Sequence, residues 1–168
     1  VTAAVVGLGI ELSVVSRRLS GPGESPITMA AALEELDGAS WQQARSMASD
    51  LRLHGHLSPA EAGGPAYILG MVMIRDAVAQ PSPRERRLLF LLAARYLQEA
   101  HQAGFPRARC GEGECEIGRC LQAANRHAES LPFLLSAKKS CPKKSTEICR
   151  LLADAYLRAT PPQLAKAL

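Results

Sequence analysis

The chain has 168 residues, 47% hydrophobic and 21% charged, a balance that is typical of a globular domain and excludes an intrinsically disordered chain. Aromatic residues make up only 4% while Ala and Leu are frequent, which favours packed helices over a sheet sandwich. The net charge of +4 is uneven: residues 1–83 hold five Arg and eight acids (−3), whereas residues 84–168 hold fifteen Lys or Arg and eight acids (+7).

The N-terminal run over residues 1–15 is apolar apart from Glu11 and small polar groups, and Arg17 and Arg18 follow it. It is shorter than the roughly 20 residues that cross a bilayer. Three interpretations stay open for residues 1–18: the end of a membrane anchor, a helix packed on the rest of the domain, or a signal-peptide remnant. The next eight residues, 19–26, are rich in Gly, Pro and Ser and predict a linker.

Helical periodicity starts at Ile27 and predicts a hairpin over residues 27–54. The first helix ends before Gly38, because an Asp-Gly pair interrupts the apolar spacing there. Ser40 is the expected N-cap of the second helix, which begins at Trp41.

A second hairpin is predicted over residues 65–106. Pro65 suits the first turn of its first helix. Ser82 followed by Pro83 combines an N-cap with a Pro in the first turn, which is a strong helix start. The long helix that follows reaches about Ala103, where a Gly-Phe-Pro sequence stops it.

Two more hairpins complete the predicted chain. Residues 111–142 read as two short amphipathic helices with a polar break at residues 124–126. Residues 146–168 read as one helix, a Thr-Pro-Pro break at residues 160–162, and the start of another helix. No segment shows the alternation of a strand, so the predicted fold class is all-α.

The stretch over residues 111–144 resembles a tetratricopeptide repeat (TPR), a 34-residue helical hairpin. The residues that carry the resemblance are Ile117, Gly118, Leu121, Ser130, Leu134, Ala137 and Pro142. The small residues among them suit positions where two helices cross at close range. One position departs from the family, because Glu114 stands where the family has Trp.

The flanking hairpins resemble the same family more weakly. Leu69 and Gly70, with the helix around Leu97, are similar to a repeat whose inter-helix turn is lengthened by about eleven residues. The hairpin over residues 27–54 resembles a divergent repeat, and residues 146–168 resemble a truncated one. The resemblance implies antiparallel helical hairpins stacked as a TPR-like α-solenoid over residues 27–168.

No catalytic or phosphate-binding motif occurs, and neither a cofactor nor a metal is predicted. The two His at 54 and 56 have no carboxylate or thiol near them in sequence and are interpreted as loop residues. The five Cys contain no CxxC pair. Cys110, Cys115 and Cys120 are five residues apart and point to different sides of a helix, which favours buried thiols, although disulfides stay open.

The resemblance also implies a groove lined by the first helix of each repeat, where TPR proteins hold a peptide or a partner helix. The residues assigned to this face are Tyr67, Met71, Arg75, Cys115, Arg119, Gln122, Arg150, Asp154 and Arg158. Because four of these nine are Arg, which binds carboxylates bidentately, we expect an acidic partner segment.

The sequence therefore predicts a non-catalytic protein-protein interaction scaffold, either tethered to a membrane through residues 1–18 or cytoplasmic. A soluble assembly or regulatory module, with that segment packed on the repeats, is the first alternative. Binding of nucleic acid through the basic C-terminal half is the second. The basic half lacks the interleaved aromatic residues that stack on bases, which makes nucleic acid the weaker partner class.

Overall fold

The computed structural model describes residues 27–159, and within that range the chain is all-α, with no strand. The seven helices are α1 (Met29–Asp37), α2 (Trp41–His54), α3 (Gly64–Ala79), α4 (Pro83–Ala103), α5 (Cys110–Ala123), α6 (His127–Ser140) and α7 (Ser145–Arg158). The predictions for residues 1–18, for the linker 19–26 and for a helix after residue 160 lie outside the described residues.

Local capping chemistry decides several helix ends. The Thr28 hydroxyl accepts a hydrogen bond from the backbone N–H of Ala31, so the first helix begins at Met29 and not at Ile27 as predicted. Ser82 caps α4 as predicted, with its side chain accepting from Glu85 N. Ser40 is the N-cap residue of α2 as predicted, although its side chain forms no capping hydrogen bond.

Each helix packs against the next one along the chain, and α1 also contacts α3 while α5 contacts α7. The buried apolar residues form two clusters. The larger one joins α1 to α5 around Tyr67, Ile68 and Leu97. The smaller one joins α5, α6 and α7 around Leu134 and Ile148. Helix α5 contributes to both clusters and is therefore the element that holds the two together.

The same type of close packing contact occurs within each of the hairpins α3–α4 and α5–α6. A Cβ added to Gly70 would lie 2.6 Å from Leu97 Cγ, and a Cβ added to Gly118 would lie 2.4 Å from Leu134 Cδ2. Both leucines are fully buried. In both hairpins the first helix therefore uses a glycine to let a leucine of the second helix approach its backbone.

Candidate interaction surface

Ion pairs and a hydrogen bond join the four odd-numbered helices along one side of the molecule. Arg109, just before α5, donates from Nη2 to Oδ1 of Asp37 at the end of α1, at 2.7 Å, and from Nη1 to Glu112 Oε2 in α5 at 3.2 Å. We name this surface the odd-helix face. Its accessible members are Asp37, Arg109, Glu112, Arg119, Lys144 and Glu147, and its buried members are Tyr67 and Glu116.

Glu112 is the junction of this surface. Besides Arg109, it accepts a hydrogen bond from the Tyr67 hydroxyl of α3 at 3.3 Å, and Lys144 Nζ, just before α7, lies 3.7 Å from its Oε1. One carboxylate thus accepts hydrogen bonds from α3 and from the turn that precedes α5, and it forms an ion pair with the turn that precedes α7. Glu112 therefore links α3, α5 and α7.

Glu116, one turn further along α5, is buried to 4% exposure. Arg119 Nη2 lies 2.8 Å from its Oε2, yet that oxygen receives no aligned hydrogen bond. Burial raises the pKa of Glu116, and the nearby positive charges of Arg119 and Lys144 oppose that shift without cancelling it. A buried carboxylate with an unsatisfied oxygen is uncommon in a folded protein and marks this position as costly to maintain.

Arg119 extends the surface to α7. Its Nη1 lies 3.6 Å from Glu147 Oε1, while its Nη2 holds Glu116. The side chain is nearly half exposed, so a ligand can reach it. Nine residues were assigned to the groove by the resemblance. Arg119 is both exposed and part of this charged network.

Three of the predicted groove residues are buried and cannot line a groove, which corrects the prediction. Tyr67 is 1% exposed and packs edge to face on Phe105 with ring centroids 6.0 Å apart. Burial raises the pKa of the Tyr67 hydroxyl far above its ordinary value, with Glu112 adding to the shift. Cys115 lies in the smaller apolar cluster. Gln122 is buried, and its Nε2 donates to Leu151 O of α7 at 2.6 Å.

The other predicted groove residues are wholly or partly accessible, and among the described residues none of them is hydrogen-bonded or ion-paired to Arg119. Met71 packs against the larger cluster and is half-buried. Arg75 is exposed, and its guanidinium lies 5.1 Å from the ring centroid of Trp41. Arg150 is exposed on α7.

Asp154 and Arg158 lie at the other end of α7. Arg158 Nε donates to Asp154 Oδ1 at 2.7 Å, and His127 Nδ1 lies 3.8 Å from Asp154 Oδ2. Arg158 lines a depression of about 350 Å³ together with residues 125–129 at the start of α6. Its guanidinium is already paired and faces the α5–α6 turn, so it is not part of the odd-helix face.

Sequence reasoning missed the four acidic residues of the surface, which are Asp37, Glu112, Glu116 and Glu147. A signal was present, because Glu112, Glu116 and Arg119 follow one another at spacings of four and three and share one side of a helix. Glu114 was noted only as a departure from the family. The structure shows it buried, accepting hydrogen bonds from the hydroxyls of Ser136 and Ser140 at 2.7 Å each.

The two buried cysteines are not activated thiols. Burial raises the pKa of Cys120 to about 12 and that of Cys115 to about 11, so the nucleophilic thiolate is disfavoured at both. The five Cys are free thiols in the structure. Among the described residues no cluster of three or more His, Cys, Asp or Glu is arranged to hold a metal ion.

A second groove, of about 360 Å³, lies between α2, α3 and α4. Its two arginines already have partners: Arg45 pairs with Asp76, while Arg52 pairs with Glu99 at 2.9 Å and lies over the Tyr96 ring. Its charged groups are therefore used within the fold, which makes it a weaker candidate than the odd-helix face.

Comparison with protein-family models, with curated proteins and with solved structures finds no match in any of the three. Between residues 27 and 159, no helix combines the length and the apolar content needed to cross a membrane.

Proposed function

We propose that this chain is a TPR-like α-solenoid scaffold that binds a segment of a partner protein along the odd-helix face. The observation that supports it best is the junction at Glu112, where groups from α3 and from the starts of α5 and α7 meet on one side. In stacked hairpins the first helices share a face, and that face is where an extended ligand can contact several repeats at once.

The repeat itself is supported by the two matched glycine-leucine contacts. Gly118 follows Gly70 by 48 residues, and Leu134 follows Leu97 by 37 residues. The difference, 48 minus 37, is 11 residues. These extra residues lie within the helices, four at the end of α3 and seven at the start of α4, and not in the turn over residues 80–82, where the lengthening was predicted. Equivalent residues thus make equivalent contacts once this lengthening is allowed for.

The charges of the surface indicate which chemical groups the ligand should carry. Arg119 is already paired with Glu116 and Glu147, so an acidic ligand must displace Glu147 to bind it. In the described part of the chain, Arg75 and Arg150 have no carboxylate within ion-pair distance. We therefore propose that the ligand extends beyond the odd-helix face and carries acidic side chains that bind Arg75 of α3 and Arg150 of α7 as well as Arg119.

The test uses an array of immobilised peptides of about 15 residues with acid-rich, neutral and base-rich compositions. We expect the 168-residue chain to bind acid-rich peptides preferentially, and Arg119→Glu combined with Arg150→Glu to weaken that binding at least tenfold. The matched control is Arg87→Glu combined with Arg95→Glu, which makes the same charge change on α4. Equal losses of binding in both double variants would show that only the net charge of the chain matters. Unchanged binding in the Arg119 and Arg150 double variant would refute the proposed site.

A further inference from the structure

Helix α4 presents an outward stripe in which leucines lie between arginines. Leu88 is 64% exposed and Leu92 is 40% exposed, although both are large apolar side chains. Arg84 lies one turn before Leu88 and Arg95 two turns after it, so these side chains share one side of the helix. We name Arg84, Arg87, Leu88, Leu92 and Arg95 the α4 ridge.

The ridge is exposed because α4 is longer than its neighbours. It has 21 residues, compared with 16 in α3 and 14 in α5. The seven residues by which α4 exceeds α5 correspond to about 10 Å of helix. Its buried residues, Ala93, Ala94, Leu97 and Ala100, all lie in the second half. The first half, residues 83–92, contains no buried residue, so its outer side is open to solvent.

The arginines of the ridge differ from those elsewhere in the fold. Within residues 27–159, Arg84, Arg87 and Arg95 have neither a carboxylate within ion-pair distance nor an aromatic ring beneath them, and all three are exposed. Arg86 is different, because it donates to Gln80 O at 2.9 and 2.8 Å. Of the described acids near the ridge, Glu99 is held by Arg52. Glu85 is left beside three arginines that have no ion-pair partner among residues 27–159.

We infer that the α4 ridge docks on an anionic membrane surface. The charges are complementary, since three unpaired guanidiniums match lipid phosphates and anionic headgroups. The shape also fits, because a lipid surface accepts a convex helix without needing a pocket. Leu88 and Leu92 then enter the boundary between headgroups and acyl chains, while the arginine stems reach back to the headgroups. This docking is independent of the odd-helix face.

The first experiment measures co-sedimentation of the 168-residue chain with vesicles of phosphatidylcholine alone and of phosphatidylcholine with about one third phosphatidylserine. We expect binding to the anionic vesicles only, and a loss of binding above about fivefold per arginine when Arg84, Arg87 and Arg95 become Gln. Replacing Leu88 and Leu92 by Ser should weaken binding about tenfold or more. The control is Leu53→Ser with Leu157→Ser, which removes two other exposed leucines, one from α2 and one from α7.

A local readout separates the ridge from any other membrane contact of the chain. Leu88→Trp in a Trp41→Phe background places one tryptophan on the ridge. Its emission should shift to the blue on adding anionic vesicles, because the indole leaves water. Absence of that shift would overturn the inference, as would vesicle binding that the Leu88 and Leu92 substitutions leave unchanged. Salt-sensitive binding to soluble polyglutamate without vesicle binding would also overturn it and would indicate an acidic protein partner.

Discussion

Gly118 of α5 lies against Leu134 of α6 so closely that a Cβ at position 118 would come 2.4 Å from Leu134 Cδ2. Replacing a helical glycine by alanine usually stabilises a helix by about 0.5–1 kcal/mol. Here Leu134 is fully buried and has no space to retreat, so overpacking should dominate. We expect Gly118→Ala to lower the free energy of unfolding by about 1–3 kcal/mol.

Chemical denaturation measures this effect, and a second substitution identifies its cause. Leu134→Val in the Gly118→Ala background should recover part of the loss, because the smaller side chain relieves the close contact. Gly70→Ala, placed against Leu97, should behave in the same way. A stabilising Gly118→Ala substitution would contradict the packing described for both hairpins.

Glu116 should make the stability of the fold depend on pH. Its pKa in the folded state is raised by burial, so the folded protein holds this proton more tightly than the unfolded chain does. The stabilising contribution of the protonated form is complete below the unfolded pKa of about 4.3. It is lost as the pH rises through the folded pKa.

Glu116→Gln should therefore unfold less readily than the wild-type chain at neutral pH, with the difference vanishing at acid pH. Denaturation midpoints between pH 4 and pH 8 test this. Glu147→Gln is the control, because that carboxylate is partly exposed and also lies near Arg119. A Glu116→Gln variant that is less stable at neutral pH would mean that the ion pair with Arg119 outweighs the cost of burial.

Ser136 and Ser140 should together maintain the buried carboxylate of Glu114. Each hydroxyl donates to a different oxygen of Glu114 at 2.7 Å. Hydrogen bonds to charged groups contribute about 1.5–3 kcal/mol each, and a buried carboxylate without donors is costly. We expect the double substitution Ser136→Ala with Ser140→Ala to lower the free energy of unfolding by about 3 kcal/mol or more.

The control for this pair is Ser49→Ala, which removes a hydroxyl that donates to the backbone oxygen of Arg45 within α2. That change should cost less than about 1 kcal/mol, because the carbonyl keeps its helical partner. If Glu114→Gln in the double-alanine background restores stability, the charge of Glu114 is the source of the loss. Equal stability of the double variant and the Ser49 control would contradict the assignment.

The cysteines should differ in reactivity according to burial. Cys110 and Cys149 are exposed, whereas burial disfavours the thiolates of Cys115 and Cys120. A short pulse of iodoacetamide at pH 8, followed by peptide mass spectrometry, should modify the exposed pair in the folded chain. Cys115 and Cys120 should react only after denaturant is added. Modification of Cys120 at the rate of Cys149 without denaturant would show that α5 is not packed as described.

The extent to which the fold is predictable follows from where the deciding interactions lie. The polar break after Ala123 depends only on residues that are adjacent in sequence, and the structure has a turn there. The burial of Tyr67 and the burial of Gln122 could not be predicted in this way. Phe105, from the loop after α4, covers Tyr67, and the Leu151 carbonyl, from α7, receives the Gln122 amide. Neither neighbour is near in sequence.

The sequence by itself determined the all-α class and the succession of helices, because caps, prolines and apolar spacing act over a few residues. It also placed Gly118 and Leu134 in facing positions of one hairpin. Only the tertiary structure decided which polar residues are buried and which charges are paired. Glu116 illustrates the reason: its burial and its ion pair arise where α5 meets its neighbours, and its position along α5 determines neither.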